Sequence, residues 1–131
     1  LLAGTNNIGD HDPSQLSIIH GLKALLTLQT DTNVIINSVP YRYDLNHLND
    51  VIFYANLAIA KLIRDYKGKL RLTYGELNCI LNRSHYTRHG LHLNKCGKKV
   101  LSCAIVKTVN SRVQSSVHPS SGPCPALSAD A

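Results

Sequence analysis

Apolar positions along the chain fall into two spacings that alternate. After Asp12-Pro13, Ile18, Ile19, Leu22, Leu25 and Leu26 recur at helical spacing, and Asp12 suits an N-cap with Pro13 in the first turn. A turn at Thr30–Asn33 follows. Val34-Ile35-Ile36-Asn37-Ser38-Val39 is then a short β-branched run, which predicts a parallel strand buried on both faces and ended by Pro40. A second helix begins at Asn46 or Asn49 and runs to about Tyr66. Its buried stripe is Leu48, Val51, Ile52, Ala55, Ile59, Leu62 and Ile63, and Gly68 stops it. Leu70–Tyr74 alternates as an edge strand does. Glu76–Tyr86 reads as loop or irregular helix. Asn94 then caps a last helix over Lys95–Asn110, with Val100, Leu101, Ala104, Ile105 and Val109 as its apolar side. At the other end, Leu1-Leu2-Ala3 reads as the end of a buried strand, and Gly4–His11 as a polar loop.

Strand and helix therefore alternate, which predicts an α/β fold: a parallel sheet with helices on both faces. The chain of 131 residues is long enough for one domain with a real core. From Ser111 onward Ser, Pro, Gly and Ala dominate and no apolar period survives. Residues 112–131 are expected to be a disordered tail outside a domain spanning 1–111. The chain contains no Met, so it does not begin at a start codon and is expected to be a fragment lacking its N-terminal part.

Two stretches carry candidate chemistry. His89-Gly90-Leu91-His92 lies in a short loop at a helix entrance, from which an imidazole can reach into a cleft and shuttle a proton near neutral pH. Gly4-Thr5-Asn6-Asn7 follows the Leu1–Ala3 run, the expected strand end. Together these stretches resemble the SGNH (GDSL-type) hydrolase family. Its third motif block reads Gly-x-Asn-Asp, its fifth Asp-x-x-His, and its fold is a flavodoxin-like, three-layer α/β sheet. The wording Thr87–Asn94, with Gly97-Lys98 after it, is similar to the SGNH-type domains of animal mobile-element proteins.

The resemblance covers about residues 1–110, and identifies 1–111 as the carboxyl-terminal portion of such a domain. It implies an esterase acting on a small acyl ester or acylated substrate by Ser-His catalysis, with no cofactor and no metal. His92 would be the general base. Asn6 would donate to the oxyanion, with Gly4 holding the turn open; one such donor is typically worth about 3–4 kcal/mol. The chain departs from the pattern at three places. His89 stands where the family has Asp, Asn7 stands for the second Asp, and the Gly-Asp-Ser block with the nucleophile is absent. His89 can orient His92 but supplies no negative charge, and losing the carboxylate of a triad costs about 10⁴-fold in turnover. Asp44 and Glu76 are the acids that could take that place.

Position adds a candidate pocket wall. Tyr41, Arg42 and Asp44 follow the carboxyl end of the first predicted strand, where ligands bind in open α/β sheets. Charge adds an alternative. The net charge is +6 and its excess lies late, from Arg64 to Lys99, which is compatible with a non-catalytic module binding nucleic acid or a protein partner. A further alternative is zinc, since Cys79, His85, His89, His92 and Cys96 are its preferred ligand types, although their spacing matches no zinc finger or zincin. The cysteines form no CxxC pair, and Cys96 and Cys103 lie about 10 Å apart along one helix. Reduced thiols and an intracellular setting are expected. No apolar run is long enough for a transmembrane helix.

Overall fold

Two parallel strands, β1 (Asn33–Asn37) and β2 (Arg71–Gly75), pair in the register Asn33 to Arg71 through Asn37 to Gly75. The structure is a computed structural model and describes residues 16–115. The described order is α1 (Leu16–Leu26), β1, α2 (Asn49–Asp65), β2 and α3 (Lys95–Ser115). Single 3-10 turns at Asn46–Leu48 and Arg83–His85 lead into α2 and toward α3. The class is α/β, as the alternation predicts.

The main core sits on one face of the sheet. Val34 and Ile36 from β1 and Leu72 and Tyr74 from β2 alternate onto that face, where α1 gives Leu22 and α2 gives Ile52, Ala55 and Ile59. Ile52 and Ala55 are completely buried. These are the positions that the helical and strand spacings select. Burying one such aliphatic side chain is worth about 1.5–3 kcal/mol. On the opposite face of β1, Ile35 is only half-buried.

A second, smaller cluster lies beyond β2. Leu77, Leu81 and Tyr86 are buried, with Tyr43, Leu93, Val100 and Leu101 packed against them. Here α3 meets the Arg83–His85 turn. Gly97 decides which side of α3 faces inward: a Cβ there would lie 2.1 Å from the His85 carbonyl oxygen. One to two turns on, Val100, Leu101 and Ala104 follow on that side and are half-buried.

Several boundaries differ from the sequence expectation. Ile105 and Val109 are exposed, because the close approach at Gly97 turns them away from the body. The helix also continues through Ser115, so residues 112–115 are helical rather than tail. By contrast, α2 begins at Asn49, one of the two expected starts, after the 3-10 turn Asn46–Leu48; its N-cap is Leu48, and the Asn49 side chain has another use described below. The Leu1–Ala3 strand, the Asp12 cap and residues 116–131 lie outside the described residues.

Candidate functional site

The carboxyl ends of β1 and β2 open into a polar network. Gly75 lets the strands stay close there, since a Cβ would lie 2.3 Å from Asn37 Oδ1. One residue past the strand, the Ser38 backbone N–H donates to the Gly75 carbonyl at 2.8 Å. The wholly buried Ser38 hydroxyl donates to Glu76 Oε1 at 2.8 Å and accepts from the Leu77 N–H at 2.9 Å. Glu76 Oε1 also accepts from the Asn78 N–H, and Oε2 accepts from the Tyr74 hydroxyl at 3.0 Å. Burial, and then the Glu76 carboxylate, push the Tyr74 phenol well above its ordinary value, so it stays a donor.

From this point the chain crosses from β1 toward α2 as the loop Val39–Asp44, and α2 holds that loop with two amides. Asn56 Oδ1 accepts from the Val39 N–H at 2.7 Å while its Nδ2 donates to the Val39 carbonyl at 2.9 Å. Seven residues earlier on the helix, Asn49 does the same for Arg42, both bonds at 2.8 Å. Two helical turns separate the two residues, so both amides project from one side of α2. Between them, Asn78 accepts from the Tyr41 N–H and donates to the Val39 carbonyl. Each amide thus acts as a peptide group paired with the loop backbone, in a place where no strand neighbour supplies the bonds.

The histidine loop is folded by its own polar residues. Asn82 caps the Arg83–His85 turn: its side chain accepts from Ser84 N–H, while its backbone N–H donates to His85 Nδ1 at 3.0 Å. The Arg83 guanidinium donates to the carbonyls of Thr87 and Arg88, closing the loop, and lies 5.8 Å from the centre of the Tyr43 ring. Tyr43 in turn stands edge-on to Tyr86 at 4.8 Å. The Thr87 N–H donates to the His92 carbonyl at 2.7 Å, and Tyr86 and Leu93 form an antiparallel bridge. Asn94 then caps α3, accepting from Gly97 N–H at 2.9 Å while donating to the carbonyls of Ser84 and Tyr86.

At the tip sits Gly90, with φ +81°, a backbone conformation that favours glycine. Its carbonyl accepts from the Tyr43 N–H at 3.0 Å, and a Cβ on it would lie 2.7 Å from the Tyr43 carbonyl carbon. The loop bearing His89 and His92 is therefore seated directly on the loop bearing Tyr41, Arg42 and Asp44. The stretches that carry these two groups of sequence candidates, at least 45 positions apart in the chain, meet where the Tyr43 N–H donates to the Gly90 carbonyl.

His89 and His92 are both exposed, and neither ring hydrogen-bonds to another described residue. The acids considered as substitutes for the missing triad carboxylate are engaged elsewhere. Asp44 takes Arg42 Nε at 3.0 Å and Nη2 at 2.7 Å, and those bonds hold its carboxyl below the usual carboxylate range. Glu76 has both oxygens occupied, as above. Gly4 and Asn6, the oxyanion candidates, lie outside the described residues. The zinc candidates do not converge: among the described residues no group of three or more His, Cys, Asp or Glu is arranged to hold a metal ion.

A cleft of about 300 Å³ lies beside the strand ends, walled by Tyr41, Phe53, Leu57, Tyr74 and Glu76, with the exposed Cys79 on its lining. Tyr41 belongs to this wall as expected; Arg42 and Asp44 do not line it. Ser38, Asn49, Asn56 and Asn78 hold the site together, although the apolar pattern gives no reason to single them out. Their one signal is that Asn49 and Asn56 interrupt the buried side of α2 at a spacing of seven. No family model matches the sequence, and neither a curated protein nor a solved structure matches it. Among the described residues, no helix is long and apolar enough to cross a membrane.

Proposed function

We propose that the chain is the carboxyl-terminal portion of an SGNH-type ester hydrolase domain, with a flavodoxin-like, three-layer sheet, acting on a small acyl ester. In this reading His92 is the general base and His89 is the residue that orients it. Asn6, with Gly4 beside it, donates to the oxyanion. The nucleophilic serine comes from a Gly-Asp-Ser block outside these residues. The chemistry needs no cofactor: His92 takes the serine proton as the oxygen attacks the acyl carbon, and returns it to the leaving alcohol.

The observation that supports this reading is the seating of Gly90 on Tyr43. It brings the exposed His89–His92 loop to the carboxyl end of a parallel strand, the side on which open α/β sheets bind their ligands. Proton shuttling requires an accessible imidazole on a fixed backbone, and the bonds from Arg83, Thr87 and Asn94 fix it.

The test uses the chain joined to the segment encoded immediately upstream, assayed on an aryl acetate with zinc content measured in parallel. His92→Ala should reduce turnover by about 10³-fold or more, and His89→Ala by about tenfold or less. His89→Asp should raise turnover, because a carboxylate stabilises the imidazolium where a neutral ring does not. Equal, complete loss in both alanine variants, together with stoichiometric zinc in the parent, contradicts the general-base role. An upstream segment with no serine in such a block also contradicts it, and favours a non-catalytic module.

A further inference from the structure

Charge is divided along this chain more sharply than its total suggests. Glu76 is the last acid before Asp130, and up to Glu76 the Lys and Arg residues equal the Asp and Glu residues in number. The whole net charge of +6 therefore belongs to the part after Glu76. Among the described residues its cations lie in the histidine loop and α3.

Not every cation there is available. Arg83 is committed to the carbonyls of Thr87 and Arg88. By contrast, Arg88, Lys95, Lys98 and Lys99 are exposed, and none of them forms an ion pair among the described residues. In the neutral half four of the seven Lys and Arg residues, Arg42, Lys61, Arg64 and Arg71, pair with an aspartate.

The placement of the lysines costs stability. Lys95, Lys98 and Lys99 occupy the first turns of α3, where the helix dipole is positive, and no acid offsets them. They also stand three and four positions apart, so like charges face one another. Each term opposes folding by a few tenths of a kcal/mol, roughly. An anion bound across this end reverses the sign of all of them.

We propose that the surface formed by the His89–His92 loop and the first turns of α3 binds the phosphate backbone of nucleic acid, with Arg88, Lys95, Lys98 and Lys99 as the contacting cations. The cations are strung from the loop onto the helix rather than gathered round a hollow, which fits a repeating chain of phosphates better than one small anion. A membrane surface fits less well. The exposed apolar side chains of α3, Val106, Val109 and Val113, lie about two helical turns or more beyond Lys99, so of the lysines only Lys107 stands beside them and Lys95, Lys98 and Lys99 do not. The inference is independent of the hydrolase reading, because it uses neither His92 as a base nor a nucleophile.

The test is fluorescence anisotropy of a labelled single-stranded oligonucleotide titrated with the chain over a range of salt concentrations. The logarithm of the binding constant should fall with the logarithm of salt with a slope of about −3, at about −0.7 per phosphate contacted. The triple variant Lys95→Glu, Lys98→Glu, Lys99→Glu should weaken binding more than about tenfold. It should not unfold α3, since acids at a helix start improve the dipole interaction, and circular dichroism checks this directly. Lys67→Glu with Lys69→Glu, exposed cations in the neutral half, should change affinity by less than about twofold. Undetectable binding, binding with little salt dependence, or equal weakening in both variants overturns the proposal. So does preferential binding to phosphatidylserine vesicles, which would assign the surface to a membrane.

Discussion

Around Ile36, Ile52, Ala55 and Ile59, aliphatic side chains from two helices and two strands close on one another, and their spacing in the sequence is enough to select them. Around Leu77, Leu81 and Tyr86 the balance is reversed. Few apolar residues are buried, and the chain is held by Asn82, Arg83 and Asn94 bonding to backbone carbonyls and amides. The first region is built by transfer of apolar area out of water, which is additive and tolerant of exchange between similar residues. The second is built by polar groups that must each reach a partner in one geometry, which makes it intolerant of exchange but able to hold a short loop still. A loop held in this way can present exposed histidines at a fixed place, and a close-packed core cannot.

Paired substitutions should break the two regions differently. Ile52→Ala empties a completely buried position and should lower global stability by about 3–4 kcal/mol, moving the whole unfolding transition measured by denaturant titration. Asn94→Ala removes a cap and strands two carbonyls, and should cost about 1–2 kcal/mol. Its loss should register as faster amide exchange in residues 83–97 while β1 and β2 remain protected. If Asn94→Ala instead loosened the sheet as much as the loop, the two regions would be one cooperative unit.

The smallest effect should come from Tyr86. Its hydroxyl is buried with no hydrogen-bond partner among the described residues, and burial first, then Tyr43, push the phenol up to about 12. A buried hydroxyl without a partner costs more than it returns, so Tyr86→Phe should leave the ring contact with Tyr43 intact and raise stability by up to about 1 kcal/mol. A loss of stability in thermal unfolding would show that the hydroxyl is bonded in solution.

How much could be read from the sequence follows the same division. In the first region the helices are legible because Ile18 to Leu26 and Leu48 to Ile63 recur at helical spacing, β1 because Val34–Val39 is a β-branched run, and β2 because Leu70–Tyr74 alternates. Asn49 and Asn56 are not, because a polar residue on a buried stripe has no sequence mark of its partner. The partners, Arg42 and Val39, are backbone groups in a loop. In the second region, Asn94 was legible as a cap because the helix after it supplies the context. Arg83 carries no mark in the sequence of its role, although its guanidinium closes the histidine loop. The apolar side of α3 is legible at Val100 and Leu101, which pack inward, but not at Ile105 and Val109, which are exposed because the close approach at Gly97 sets the orientation of the helix. Of the site, the histidines and the Tyr41–Asp44 loop were found as separate stretches. Their meeting depends on Gly90 at φ +81°, and a glycine in a sequence does not announce which backbone it will touch.

That meeting is the central claim, and amide hydrogen exchange at Tyr43 measures it most directly. In the parent protein the Tyr43 N–H, bonded to the Gly90 carbonyl, should be protected although it lies in a loop. In Gly90→Ala, where the added methyl group has no room beside Tyr43 and the backbone conformation is disfavoured, that protection should be lost while the amides of Val34 and Ile36, which face β2 in the parallel ladder, keep theirs. A Tyr43 amide that exchanges in the parent as fast as in an unstructured peptide, or one equally protected in Gly90→Ala, would contradict the seating of the histidine loop on the end of β1.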